Sequence, residues 1–213
     1  MKNCEKLCES ELSARGKLIL TAAQTLFLKH GYDETSLDMI ISEAGGSRRS
    51  IYNEFGNKQG LLMSVIHQQV AIQAATIATI NTSVLAPHDA LKEMCFRFVK
   101  GMVSETLISL YRLVIQVVPK VPELGSLIYE KGPLTGRKPL TDYLMLLDEK
   151  GILSIDDPFY ATQMLMEMVK GCLHLKGVLL PNEQISDEEI HQHIDKAVDL
   201  FLKAYQAEHE LNK

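Results

Sequence analysis

In the stretch SARGKLILTAAQTLFLKHGYDET, residues 13 to 35, the apolar side chains Ile19, Leu20, Ala23, Leu26 and Phe27 recur three and four positions apart. That spacing lines one side of a 3.6-residue repeat and is incompatible with the two-residue alternation of a half-buried strand. The same period returns in Leu61, Leu62, Val65, Ile66, Ala71 and Ile72, and again near the end of the chain. No run of strand alternation intervenes, so the predicted fold is all-α.

Punctuation divides the helices. Gly31 stops the first, and Thr35 or Ser36 can cap a second over Leu37 to Ala44, with Asp38 completing an approximate capping box. Gly45 and Gly46 end it, and a third helix follows. Asn57 can cap a fourth that reaches about Ile80, and Pro87 closes the next connection. Further helices are expected near 88–103, 105–118, 122–131, 134–150, 158–179 and 187–208. Pro119 and Pro122, Gly132-Pro133, Asp157-Pro158 and Pro181-Asn182 separate them.

A chain of 213 residues can form one helical domain or a small domain fused to a larger one. Hydrophobic residues make up 46% and charged residues 23%, which excludes a disordered chain. The opening MKNCEKLCESE has no apolar signal core, and no later apolar run approaches the ~20 residues of a membrane span. A cytoplasmic protein without membrane contact is expected. Cys4, Cys8, Cys95 and Cys172 are too scattered for a disulfide framework, so reduced thiols fit. Neither metal nor cofactor is expected: Glu188, His191 and Asp195 would share a helix face, where solvated charges are the ordinary outcome.

The formal charge of −5 argues against indiscriminate coating of nucleic acid, but it is unevenly spread. Residues 1–58 carry eight basic and eight acidic side chains, whereas residues 59–213 carry 14 and 19. Within 44–58 there are three basic and one acidic. This basic island is GGSRRSIYNEFGNK, residues 45 to 58. Ser47 is a good N-cap, which puts Arg48 and Arg49 in the first helical turn, where the helix dipole repels cations by about 0.3–1 kcal/mol each. Arg48, Arg49, Tyr52 and Asn53 share one face, and Ile51 and Phe55 the other. A short helix after a tight Gly turn, preceded by another short helix, has the helix-turn-helix layout, in which phosphates or guanine edges offset the dipole penalty.

The order of neighbouring residues narrows this further. Ile19, Leu20, Ala22, Ala23, Leu26, Phe27, Gly31-Tyr32, Thr35-Ser36, Ile40, Gly45, Ser47, Ile51-Tyr52, Phe55, Lys58 and Leu61-Leu62 stand in an order that resembles the N-terminal DNA-binding domain of the TetR family of bacterial regulators. The resemblance implies that Thr35, Ser36, Tyr52 and Lys58 touch DNA phosphates. It also implies that Arg48, Arg49, Ser50 and Asn53, with Ser47 at the cap, occupy positions facing the operator. Gly46, Ile41, Glu54 and Gly60 depart from the family pattern.

One helix-turn-helix offers too few contacts for a specific site, so such proteins bind as dimers to half-sites about 34–36 Å apart. Ile190, Ile194, Ala197, Val198, Phe201 and Tyr205 form an apolar stripe on the last helix, and Leu165, Met168 and Cys172 lie on a stripe of the helix before it. Packing inside the chain's own core fits these residues equally well. The resemblance, to a family whose last two helices pair between subunits, implies a dimer interface there.

The segments LYRLVIQVVPKVPELGSLIYEKGP and GILSIDDPFYATQMLMEMVKG resemble the AefR-like ligand domain over roughly residues 88–205. An apolar cavity for a small effector of unknown identity is implied. Arg112, in an apolar run, needs a partner or an exit to solvent. With Gln116, Phe96, Met102, Met145 and Met164 it makes up the candidate ligand set, although such residues are more often core than pocket, and such an arginine more often an ion pair or a surface side chain.

The expected organisation is a tail over 1–12, a three-helix helix-turn-helix domain over 13–60, and a helical effector-binding and dimerisation domain over 61–213. The expected function is a homodimeric, non-enzymatic transcription regulator, a repressor released from a palindromic operator by its effector. The rival is an all-helical small-molecule binding protein or enzyme that does not bind DNA.

Overall fold

The computed structural model describes residues 12–207. Nine helices are named among them: α1 (Ala14–Glu34), α2 (Leu37–Ala44), α3 (Arg48–Phe55), α4 (Lys58–Ala78), α5 (Pro87–Met102), α6 (Glu105–Val117), α7 (Pro122–Glu149), α8 (Pro158–Leu179) and α9 (Asp187–Ala204). The all-α expectation holds. The chain packs as two compact units. One runs to Ala71 and takes in Ser109–Gly132, and the other holds Ile72–Ile108 and the chain from Pro133 onward. The first unit therefore extends past residue 60 and gathers a second segment. Cys4 and Cys8 lie outside the described residues.

In the first unit four side chains cap helices. Ser13, Ser36 and Ser47 accept from the backbone N–H of Gly16, Met39 and Ser50, and Asn57 accepts from Gly60 at 2.8 Å. Each such cap stabilises its helix by about 1 kcal/mol. Ile19, Leu20, Ala23, Phe27, Ile40, Ile51, Leu61, Leu62 and Val65 are buried, most of the periodic set joined by the packing faces of α2 and α3, whereas Leu26 is half-buried and Ala71 and Ile72, expected on the same stripe of α4, are exposed. Within α1 the backbone turns out of helical geometry at Gly31, at φ 79°. The expected stop is thus real, although residues as far as Glu34 are helical beyond it.

By length and composition α4 could cross a membrane, a similarity that the sequence reading missed. Leu61 to Ile66 are all buried in the first unit, as in a core helix.

The second unit is built on contacts of α5, α8 and α9 with one another. Leu91, Cys95, Val99, Leu140, Leu144, Leu165, Val169, Ile190, Ile194, Val198 and Phe201 are buried in its core. Asp157 caps α8, and Ser186 caps α9 with three carboxylates in the first turn, where the dipole favours them. Inside α8 the backbone breaks at Gly171, at φ 45° and ψ −139°.

Two expected boundaries are corrected. Gly132-Pro133 does not separate two helices: α7 runs through it, because a proline removes one backbone donor while the hydrogen bonds on either side carry a helix this long. The last helix ends at Ala204 rather than 208. Beyond it Tyr205 accepts a hydrogen bond at 2.9 Å from Ser154, so the backbone leaves the helix to pair with the segment before α8.

Candidate nucleic-acid interface

The turn between α2 and α3 is fixed from three sides. Gly45 ends α2 at φ 71°, a conformation that favours glycine, and donates to Ile41 at 2.7 Å. Arg15, from the first turn of α1, donates to the Ala44 carbonyl at 2.7 Å, and a Cβ on Gly45 would lie 2.7 Å from its guanidinium. Glu54 of α3 reaches the start of α1, accepting from the Ser13 hydroxyl at 2.7 Å and from its backbone N–H at 3.2 Å. Asp38 of α2 accepts from Arg48 of α3 through both carboxylate oxygens, with Nε to Oδ1 at 2.8 Å.

Two departures from the family pattern thereby acquire roles. Glu54 is a cap across helices. At Gly60 a Cβ would meet the Phe55 carbonyl at 1.9 Å, so the close passage of α4 past α3 requires its absence.

One side of α3 is packed, with Ile51 fully buried and Phe55 nearly so. The opposite side presents Ser47, Arg48, Arg49, Tyr52 and Asn53 to solvent, with Ser50 half-buried and its hydroxyl 3.2 Å from that of Ser47. Ser36 is exposed at the start of α2. Tyr52 is 51% exposed although aromatic, and such a ring is open to a partner.

Two expected phosphate contacts are placed otherwise. Thr35 is fully buried, and its hydroxyl donates to the carbonyls of Gly31 at 2.7 Å and Leu26 at 3.1 Å. It closes the broken end of α1 and is turned inward; Ser36 alone caps α2, and Asp38 serves Arg48 instead of a capping box. The Lys58 ammonium sits 4.4 Å from the centre of the Tyr32 ring and donates to the Asp33 carbonyl at 3.3 Å. Burial lowers its pKa, opposed by Asp33 and Glu34. The Asp33 carboxylate itself pairs with Lys120. Arg15, Asp38 and Glu54 were missed as contributors because their partners stand 29, 10 and 41 residues away, beyond the reach of periodicity.

The expected dimer residues divide. Leu165, Ile190, Ile194, Ala197, Val198 and Phe201 are buried within the chain's own core, so these six side chains face inward. The stripe was the inward face of α9. Met168 and Tyr205 are half-buried and Cys172 is exposed. Met164 before the break at Gly171 and Cys172, Leu175 and Leu179 after it are exposed on α8, Met168 packs partly against the core, and Leu200 is 60% exposed on α9.

Of the candidate ligand residues, Arg112 and Gln116 belong to the first unit and the rest to the second. Arg112 is half-buried and engaged, and Gln116 is exposed. Phe96 stacks on His191 with ring centres 4.1 Å apart, Met102 packs at the edge of the core, and Met145 and Met164 are exposed. None of the second unit's four lines the open cleft of about 460 Å³ between Thr79, Ile80, Val84, Leu85, Glu93 and Arg97. Asp195 pairs with Lys92, and Glu188 accepts from Gln192.

Two family models match the chain. One, described as bacterial regulatory proteins of the tetR family, matches residues 19–65. The other, the C-terminal domain of AefR-like transcriptional repressors, matches residues 89–207. A TetR-family transcriptional regulator from Mesorhizobium loti has a TM-score of 0.80 at 26% identity, over 90% of this chain and 96% of its own. The flavonoid-responsive regulator FrrA has 0.72 at 26%, over 91% and 98%. The transcriptional repressor AcnR of Corynebacterium diphtheriae is 30% identical over 69 residues, 32% of this chain. That match spans 36% of AcnR's own length.

Proposed function

The chain belongs to the TetR family of bacterial regulatory proteins, with an AefR-like C-terminal domain, and from that premise we propose that it is a homodimeric repressor that leaves a palindromic operator when a small effector binds. The observation that carries this is the exposed face of α3, where Arg48, Arg49, Tyr52 and Asn53 project opposite a buried Ile51 and Phe55. Two cations in the first turn of a helix oppose its dipole and are justified by an anionic partner. A helical small-molecule binder without DNA contact has no use for them.

The reader contacts we assign are Arg48, Arg49 and Asn53 for bases, and Ser36, Ser47, Ser50 and Tyr52 for phosphates. Lys58 joins them only on leaving Tyr32. For the dimer we assign the exposed apolar side chains of α8, Met164, Cys172, Leu175 and Leu179, with Met168 at their edge and Leu200 of α9. Apolar side chains this exposed on two adjoining helices suit a self-complementary interface. We assign no catalysis and a cytoplasmic location, in keeping with a family of transcription regulators.

Gel-shift titration against palindromes from the region upstream of its own reading frame tests the proposal. Specific binding at nanomolar protein, lost on adding effector, is expected; binding that is equal on all sequences overturns it. FrrA is flavonoid-responsive, so flavonoids are the first effector class to try here.

A further inference from the structure

The carboxylate of Asp38 holds the guanidinium of Arg48 side-on, taking its Nε hydrogen and one Nη2 hydrogen. Left free are the other Nη2 hydrogen and both on Nη1, the end of the fork whose two parallel N–H bonds match the O6 and N7 acceptors of guanine. Asp38 stands in the first turn of α2 and Arg48 in the first turn of α3, so the pair bridges the two helices at the exposed end of the motif. Both side chains remain about two-thirds exposed, at 64% and 63%. A pair so exposed does little for stability, which leaves orientation as its physical consequence.

We infer that Asp38 is a specificity-determining residue, which aims Arg48 at a guanine edge and withholds it from the phosphate backbone. The inference rests on the DNA-reading function proposed above. Two effects combine. A guanidinium already fixed by two hydrogen bonds loses little freedom when it docks on a base, whereas a free arginine reaches many phosphates equally well. The carboxylate is also an anion at a surface that approaches phosphates, so it weakens contact with any sequence lacking the matching base. Asp38 is thus a positioning residue that acts through Arg48.

The test is selection from a randomised DNA library by the full-length wild type, Asp38→Asn, Arg48→Ala and the double variant, followed by salt titration on the selected site. Asparagine preserves shape on an exposed position; Asp38→Ser, another residue suited to a helix start, serves as the second variant. Asp38→Asn and Asp38→Ser are expected to relax preference at the same base pair in each half-site that Arg48→Ala relaxes. They should also bind unrelated DNA more tightly, and the log–log salt slope should steepen by about 0.9 for each guanidinium transferred to phosphate. In the Arg48→Ala background the Asp38 substitution should leave base preference unchanged. A purely structural Asp38 would lower affinity for all sequences without changing preference or slope, and that result overturns the inference. A wild type that enriches a motif while Asp38→Asn enriches the same motif equally sharply overturns this inference alone. A wild type that enriches nothing overturns the DNA-reading function, and this inference with it.

Discussion

The ring of His193 in α9 donates from Nε2 to the carbonyl oxygen of Met168 at 2.8 Å, across the break in α8 at Gly171. Where a helix breaks, carbonyls lose their partners one turn on, and here a side chain from a neighbouring helix supplies one. The imidazole lies so near that a Cβ on Gly171 would stand 2.6 Å from it.

Gly171→Ala is therefore expected to destabilise the protein by about 1–3 kcal/mol, from strain at positive φ and displacement of His193. His193→Ala should cost less, about 1 kcal/mol for one hydrogen bond. Urea denaturation measures both. A Gly171→Ala protein as stable as wild type would mean that α8 can straighten without loss.

On α3, Arg49→Ala should cost about 1–3 kcal/mol of operator affinity and relax preference at one base pair, while Tyr52→Phe weakens all sequences alike. Both should keep wild-type stability. Thr35→Val should behave in the reverse manner, losing about 1–3 kcal/mol of stability through two buried carbonyls left short of a donor. Parallel melting curves and binding isotherms separate the two classes, and loss of DNA affinity in a fully stable Thr35→Val protein would restore Thr35 to the interface.

At the proposed seam, Leu175→Glu should yield a folded monomer that binds DNA only in the nonspecific range of about 10⁻⁴–10⁻⁶ M. Phe201→Glu should unfold the chain, because that ring is in the core. Sedimentation and circular dichroism distinguish these outcomes. Cys172 gives an independent measurement in a Cys4→Ser/Cys8→Ser background: thiol labelling should be slow in the dimer and fast on dilution, while Cys95, fully buried with its thiol pKa pushed up by desolvation, stays unlabelled in both. A Leu175→Glu dimer would put the seam elsewhere.

Between α5 and α9, His88 lies 2.8 Å from Asp199, and that hydrogen bond raises the imidazole pKa despite some burial. The folded chain then holds this proton more tightly than the unfolded one. Its contribution is full below about pH 6.5 and is lost as pH rises through the folded pKa. His174, pushed down by burial, acts in the opposite sense. The informative quantity is therefore the difference between wild type and His88→Gln across about pH 6 to 8, where the variant should lose less stability. The effect will be small, since both partners are about half exposed. Identical pH profiles would remove the pair from the account.

Most helices and the two faces of α3 are legible because each is local: periodicity names Ile51 and Phe55 as packed, and Ser47 announces the start, whereas Gly132-Pro133 reads as a stop that α7 runs through. The direction of the stripe from Ile190 to Phe201 is not legible, since a core and a subunit interface demand the same spacing of apolar residues; only the exposure of Leu175 and Leu179 separates them. The inward turn of Thr35 is hidden for a related reason. A hydroxyl beside a helix start is equally suited to a phosphate or a carbonyl, and the break at Gly31 that leaves carbonyls in need is a tertiary fact. Asp38, Glu54 and Arg15 find partners across turns or across the motif, which no window of residues reveals.

Two of the clamps on the motif, Arg15 on the end of α2 and Glu54 on the start of α1, lie away from the side chains that project to solvent. Arg15 and Glu54 secure the scaffold, while among the described residues no hydrogen bond or ion pair ties down the side chains of Arg49, Tyr52 and Asn53. A lineage carrying this chain is accordingly free to exchange those three positions and acquire a new operator while its stability stays constant. For Arg48 the constraint falls on what it reads rather than on stability. Tied to Asp38, it can change without penalty only in concert with its partner, so the two positions should drift through descendants as a couplet, whereas their neighbours drift alone.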